Sequence, residues 1–175
     1  MEHLEIPSYE LHLNSNGKGK GLAIYFKKDM LRHEVDIKQQ NIQISKFTSP
    51  EIDLLAIYRS QNGNLKQLIE YLKNLINREK PVLIIGDFNF CFLEDSSNFV
   101  TKYLDENSCS QIVKEPTHIE GNLIDQAHLR DTEGNYQCSV EVHSKYYTDH
   151  RGVAIIIKRV RLKYIHNDVN KISYF

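Results

Sequence analysis

Apolar residues in this chain fall into short runs and stripes whose spacing predicts its elements. Pro81-Val82-Leu83-Ile84-Ile85 is the densest run, and Gly86 ends it at once. A branched run that short reads as a strand buried on both faces. Ahead of it, Leu65, Leu68, Ile69, Leu72, Leu75 and Ile76 recur at helical spacing and make one continuous face. Asn64 is placed to cap that helix, and Pro81 marks its end. Residues 22–26 predict a strand, and the glycine- and asparagine-rich stretch 14–21 a solvated hairpin turn. Residues 41–47 alternate and predict a half-exposed strand, whereas the more apolar 53–58 predicts a buried one. A second helix is expected over 97–106, with Phe99, Val100, Tyr103 and Leu104 inward. Residues 115–118 read as a loop or edge segment. Three further strands are expected, at 123–129, 139–142 and 152–158, the last carrying the core run Val153-Ala154-Ile155-Ile156-Ile157.

Composition narrows the class. A chain of 175 residues, 41% of them hydrophobic, suits one globular domain with a substantial core. No apolar run approaches the ~20 residues that span a bilayer, so no membrane association is expected. Met1-Glu2-His3-Leu4-Glu5 lacks the basic start and apolar core of a signal peptide. Cys91, Cys109 and Cys138 have no C-x-x-C spacing and read as reduced thiols of an intracellular protein, nuclear or cytoplasmic. The net charge of −1 gives no global basic surplus. Phosphate binding would therefore depend on local basic groups or a metal. Lys158, Arg159, Arg161 and Lys163 begin a basic terminal segment that reads as solvated.

The candidate chemistry lies where apolar runs give way to polar groups. Asp87 and Asn89 leave the carboxyl end of the 81–85 strand, where layered α/β folds place ligands. Tyr147-Thr148-Asp149-His150-Arg151-Gly152 precedes the last strand. Asn122-Leu123-Ile124-Asp125-Gln126 lies between, and Ile57-Tyr58-Arg59-Ser60 upstream. The glycines of 14–21 lack the G-K-[ST] of a phosphate loop, and no G-x-S-x-G elbow occurs. His118, His128 and His143 have no ligand-like spacing and read as structural.

These four stretches, in this order, resemble the endonuclease/exonuclease/phosphatase superfamily, and look most like the endonuclease modules of non-LTR retrotransposons. The resemblance covers roughly residues 5–158. It implies an α/β (α+β) fold: a DNase I-like two-sheet β-sandwich with flanking helices, lacking the family's first strands. That domain would occupy 1–158, with 159–175 as the basic tail. By the same resemblance, Asp87 orients or deprotonates the attacking water and Asn89 donates to the phosphate. Asp149 ligates Mg²⁺ or Mn²⁺, and His150 contacts the phosphoryl group. Asp125 orients His150, and Tyr58 faces the phosphate with Arg59 beside it. The implied activity is metal-dependent hydrolysis of DNA phosphodiesters, with 3′-hydroxyl ends. Two departures stand out. The family's asparagine-bearing and glutamate-bearing first strands have no counterpart, so metal binding is expected to be weak and the chain truncated. Gln126 replaces the family's usual residue after the acidic position. DNA is the expected partner, with a reverse transcriptase module or a strand-completing protein as further candidates. An inactive interaction or nucleic-acid-binding module and a phosphatase of the same fold remain as alternatives.

Overall fold

The computed structural model describes residues 5–17, 20–94, 98–144 and 148–160. The apolar run at 82–85 forms β6 (Val82–Asp87), near the middle of a six-stranded mixed sheet. β5 (Asp53–Arg59) lies parallel on one side of it. β8 (Asp125–Arg130) lies antiparallel on the other. Beyond β5 come β4 (Ile42–Thr48) and the edge strand β3 (Arg32–Gln39). The two-residue β7 (Ser110–Gln111) flanks β8. A parallel pair needs a crossover, and α1 (Leu65–Leu75) supplies it between β5 and β6. Asn64 caps α1 as its position suggested, accepting from the Lys66 and Gln67 amides at 2.9 and 3.2 Å.

The two faces of this sheet differ. On one, α1 and α2 (Phe99–Glu106) bury Leu68, Leu72, Val100 and Leu104 against Ile42, Ile44, Leu55, Ile57, Val82 and Ile84. On the other, the second layer is two separate hairpins. β1 (Glu10–Gly17) pairs with β2 (Lys20–Phe26) and packs over β3, β4 and β5. β9 (Tyr136–His143) pairs with β10 (Gly152–Arg159), and Val140, Val142, Val153 and Ile155 cover a smaller cluster around Leu123 and Ala127. Between the hairpins runs a slot of about 420 Å³, floored by Leu54, Ala56, Ile85 and Ala127 and walled by Leu22, Ile24, Val153 and Ile155.

The α/β sandwich with flanking helices is as expected, and four sequence expectations change in detail. β4, expected to be half-exposed, is buried on both faces, between the helices and the β1–β2 hairpin. Leu83 and Ile85 are only half-buried, because the second layer does not close over β6. The run in β10 is partly buried on its sheet-facing side only, and Ile156, on the outer face of the hairpin, is exposed. Phe99 faces solvent at 62% exposure: it opens α2, whose inward stripe begins at Val100. Strands β1, β3 and β7 were not anticipated, and residues 18–19 of the expected turn, Ser97 and the tail beyond 160 lie outside the described residues. Among the described residues no helix is long and apolar enough to cross a membrane.

Candidate active site

The site is built by register. Tyr58 on β5 pairs with Asp87 on β6, and Asp87 pairs with Asp125 on β8. Three polar side chains therefore line up across three strands, on the hairpin side of the sheet. The close approach of β5 to β6 here requires Gly86. At φ +145° a Cβ would lie 1.8 Å from the Ile57 carbonyl oxygen. After Asp87 the strand ends. Asn89 takes a left-handed conformation, φ +50°, so the strand's alternation does not continue to it. Instead it turns back onto Asp87: its backbone N–H donates to Oδ1 at 2.9 Å and its Nδ2 to Oδ2 at 2.8 Å. The same Nδ2 also donates to the Arg59 carbonyl at 2.9 Å.

Arg59 holds this turn from beneath. It is 4% exposed, and its guanidinium donates to the carbonyls of Phe88 (2.6 Å), Gln61 (3.2 Å), Gly63 (2.6 Å) and Asn89 (2.9 Å). Four carbonyl partners spread a buried charge over backbone dipoles. Arg59 is thus a clamp for the 86–89 turn. Gln126, buried on β8 opposite Gly86, links the same loop to the core by donating to Phe90 O at 3.1 Å and contacting His128 Nε2 at 3.0 Å. Burial pushes the His128 imidazole down to about 4, so it stays neutral, in keeping with a structural role.

A second segment brings the imidazole. Thr117 is fully buried, and its Oγ1 accepts from the Ile124 and Asp125 amides at 3.1 and 2.9 Å. Its carbonyl accepts from Arg151 N at 2.6 Å, while Ile119 N donates to Asp149 O at 2.9 Å. One loop thereby fixes the start of β8 and the approach to β10, and His118 and His150 form a bridge between them. His150 Nδ1 lies 2.9 Å from Asp125 Oδ2. Ligand atoms of Asp87, Asp125 and His150 all fall within 4.8 Å of one another. His118, Asp149 and His150 form a second such trio, with His118 Nε2 3.3 Å from Asp149 Oδ2. Asp149 is exposed and joins the first trio only through the shared His150.

Sequence spacing assigned His118 and Thr117 no part in this arrangement. Their signal is three-dimensional: the 115–124 loop folds back on the 149–151 segment. His143 pairs with Glu141 at 3.3 Å on the solvated side of β9, apart from the site.

Electrostatics set the rim apart from an ordinary strand end. Carboxylates opposed across an antiparallel ladder repel. Burial, with Asp125 adding to it against the pull of the Asn89 amide, His150 and Arg59, pushes Asp87 up to about 6. Burial lowers His150, but the Asp125 hydrogen bond and the surrounding carboxylates outweigh it and hold the imidazole above its usual range. Burial, and then Asp87, raises Tyr58, so its phenol stays protonated as a neutral donor. The rim thus combines a carboxylate poised near neutrality, a carboxylate-bound imidazole and a phenol.

No protein-family model matches the chain, and no curated protein matches it in sequence. Solved structures do. The endonuclease domain of TRAS1, a telomere-specific non-LTR retrotransposon, superposes with a TM-score of 0.65 at 12% identity, over 88% of this chain and 80% of that one. An endonuclease/exonuclease/phosphatase family protein from Leptotrichia buccalis C-1013-b gives 0.58 at 12% identity, over 87% and 73%. D. rerio TDP2, in complex with a single-strand DNA product, gives 0.57 at 13%, over 86% and 77%. The chain therefore has the fold of the endonuclease/exonuclease/phosphatase proteins. The likeness to retrotransposon endonuclease modules read from its motifs recurs among these structural neighbours.

Proposed function

We propose that the rim of Asp87, Asp125 and His150 is a hydrolytic centre for DNA phosphodiesters. The observation that carries this reading is the convergence of the three side chains, from three separate parts of the chain, on one point. With a pKa of about 6, Asp87 is ionised at neutral pH yet basic enough to accept a proton from water. That water would form the new P–O bond as the bond to the 3′ oxygen breaks, and the departing oxygen would take a proton from solvent to become a 3′-hydroxyl. Asp125 holds Nδ1 of His150, which leaves the other ring nitrogen as a donor to a phosphoryl oxygen. Asn89 fixes Asp87, in place of the phosphate contact its family role suggests. Tyr58 lies in register to donate from the far side.

The donor set suits a hard divalent ion. Mg²⁺ and Mn²⁺ are held by one or two carboxylates together with phosphate oxygens and water, and Asp87, Asp125 and Asp149 surround one imidazole here. We assign Asp149 to the ion, with His118 orienting its carboxylate. When bound, the ion would neutralise phosphoryl charge. The test is nicking of supercoiled plasmid with Mg²⁺ or Mn²⁺. Asp87→Ala and His150→Ala should each lower the rate by about 10²–10⁴-fold without unfolding the chain. Equal nicking by wild type and both variants would refute the assignment. A parallel panel of abasic duplex and inositol phosphates separates a nuclease from a phosphatase of this fold.

The open slot supports a second reading, an interaction module whose second layer is completed by an extended strand of another polypeptide. β2 and β10 face the slot, and among the described residues each pairs with one neighbour only. Strand edges recruit strands. Between 20% and 27% of the length of each of these solved neighbours is not matched here. Efficient nicking by a protein that sediments as a monomer would exclude this reading.

A further inference from the structure

A second meeting of imidazole and carboxylate lies on the other side of the sheet's centre. His12 projects from β1 toward the six-stranded sheet, and His33 and Asp36 come from edge strand β3. His12 Nε2 is 3.0 Å from both Asp36 oxygens, and His33 Nε2 is 3.1 Å from Oδ1. The three donor atoms lie within 4.8 Å of one another. The imidazoles stack, with centroids 4.0 Å apart and planes inclined by 28°. Phe47, fully buried, packs against both rings at 5.5 and 5.4 Å and so fixes their orientation. Ser45 Oγ donates to Asp36 Oδ1 at 2.7 Å and holds the carboxylate. Burial opposes the Asp36 charge, but Ser45 and the two imidazoles outweigh it and keep the carboxyl below its usual range.

We propose that His12, His33 and Asp36 bind a divalent transition-metal ion of the zinc class, which staples the β1–β2 hairpin to strand β3. Zinc takes imidazole nitrogen at about 2.0–2.1 Å and carboxylate oxygen at about 2.0–2.2 Å, so neighbouring donors in a tetrahedral shell lie about 3.3 Å apart. The observed separations of 3.0 and 3.1 Å approach that spacing. Without an ion, each Nε2 donates to Asp36 as the N–H of an imidazole, and one divalent ion can take the place of those two protons between the same three groups. Two imidazoles favour zinc, copper, nickel or iron over magnesium and calcium. The rim carries a trio of the same composition, His118, Asp149 and His150, but the two are remote: β3 and β6 are three strand spacings apart, about 14 Å. The half-exposed side chains leave a coordination position open to water.

The test is calorimetric titration of Zn²⁺ into the full chain and into its His150→Ala variant, which removes the imidazole shared by both rim trios. One tight equivalent should bind and raise the thermal midpoint. His12→Gln and His33→Gln should each weaken binding by roughly tenfold or more, whereas His150→Ala should retain it. The wild-type protein gives a second readout that needs no variant. Co²⁺ should show a d–d spectrum without the thiolate charge-transfer band that Cys91 or Cys138 would produce. Absence of a stoichiometric Zn²⁺ equivalent, a thiolate band, or unchanged affinity in both folded glutamine variants would each overturn the proposal.

Discussion

The two faces of β6 make the most useful contrast in this molecule. Val82 and Ile84 point into the helix-covered core and are essentially inaccessible, at 1% and 0% exposure. Leu83 and Ile85, one residue along, point at the hairpin layer and remain half-buried. A single apolar run thus serves one finished core and one unfinished one. Asp87 and Asp125 sit where the slot reaches the rim, with Gly86 and Asp125 lining its end. Chemistry is concentrated at the boundary of the open face, while the closed face supplies the rigidity.

If that contrast holds, truncation on the closed face is the most costly change. Ile84→Ala removes a fully enclosed side chain whose neighbours Leu68, Leu72 and Phe88 cannot all collapse inward. A loss of about 3–4 kcal/mol is expected, read as a shift of the urea midpoint at constant slope. A loss below about 1 kcal/mol would mean that the helix layer is no better packed than the hairpins.

The same contrast explains what the sequence made legible. The closed face announced itself: the helical stripe 65–76 is legible because apolar residues fill a sealed core, whereas the run 82–85 gave the strand but overstated its burial, since Leu83 and Ile85 face the open side. Asp87, Asp125 and His150 were legible through their motifs, and the fold brings them together. The open face hid itself. In β1 the alternation runs opposite to expectation: Leu13 is 46% exposed while Asn14 is 1% exposed. Asn14 is inward because its Nδ2 donates to the Ile37 and Ile44 carbonyls and to Ser45 Oγ, at 3.1, 3.0 and 3.1 Å. Such cross-strand partners cannot be read from local pattern. β3 was missed because its Arg-His-Glu-Val-Asp-Ile-Lys-Gln is almost wholly polar, as an edge strand tolerates. Arg59 was expected near a phosphate and is instead buried on four carbonyls, a role set by a turn thirty residues away.

The rim gives the next largest effect, with opposite sign. The folded protein holds the Asp87 proton more tightly than the unfolded chain does, since the carboxyl rises from 3.8 to about 6. Its stabilising contribution is fully present below about pH 4 and is lost as pH rises through 6. Asp87→Asn abolishes that loss, so its stability relative to wild type should climb between pH 4 and 7 and then level off. The two pKa values set a ceiling of about 3 kcal/mol, and solvent at the half-exposed rim reduces the expected gain to about 1–2 kcal/mol. Urea midpoints at pH 4.5 and 8 measure it. A variant less stable than wild type at pH 8 would show that burying the Asp87 charge, opposite Asp125, carries no cost, and the rim would then be an ordinary strand end.

The smallest effect is the most informative about the slot. Ile85 lies beside Ile84 in sequence but faces the opening, next to Ala56 and Ala127. Its truncation to alanine enlarges an accessible groove without creating a sealed cavity, so the cavity cost that dominates at Ile84 is absent. Only the partial loss of apolar burial remains, about 1 kcal/mol at ~25 cal/mol per Å². The ratio between neighbours, roughly threefold, cancels errors common to both measurements. If Ile85→Ala costs as much as Ile84→Ala in the isolated chain, the second layer closes over β6 in solution and no strand is needed to cover it. If the cost is small alone but grows when a second polypeptide is co-purified, the slot is where that chain lies, because only an added layer can turn this groove into an interior.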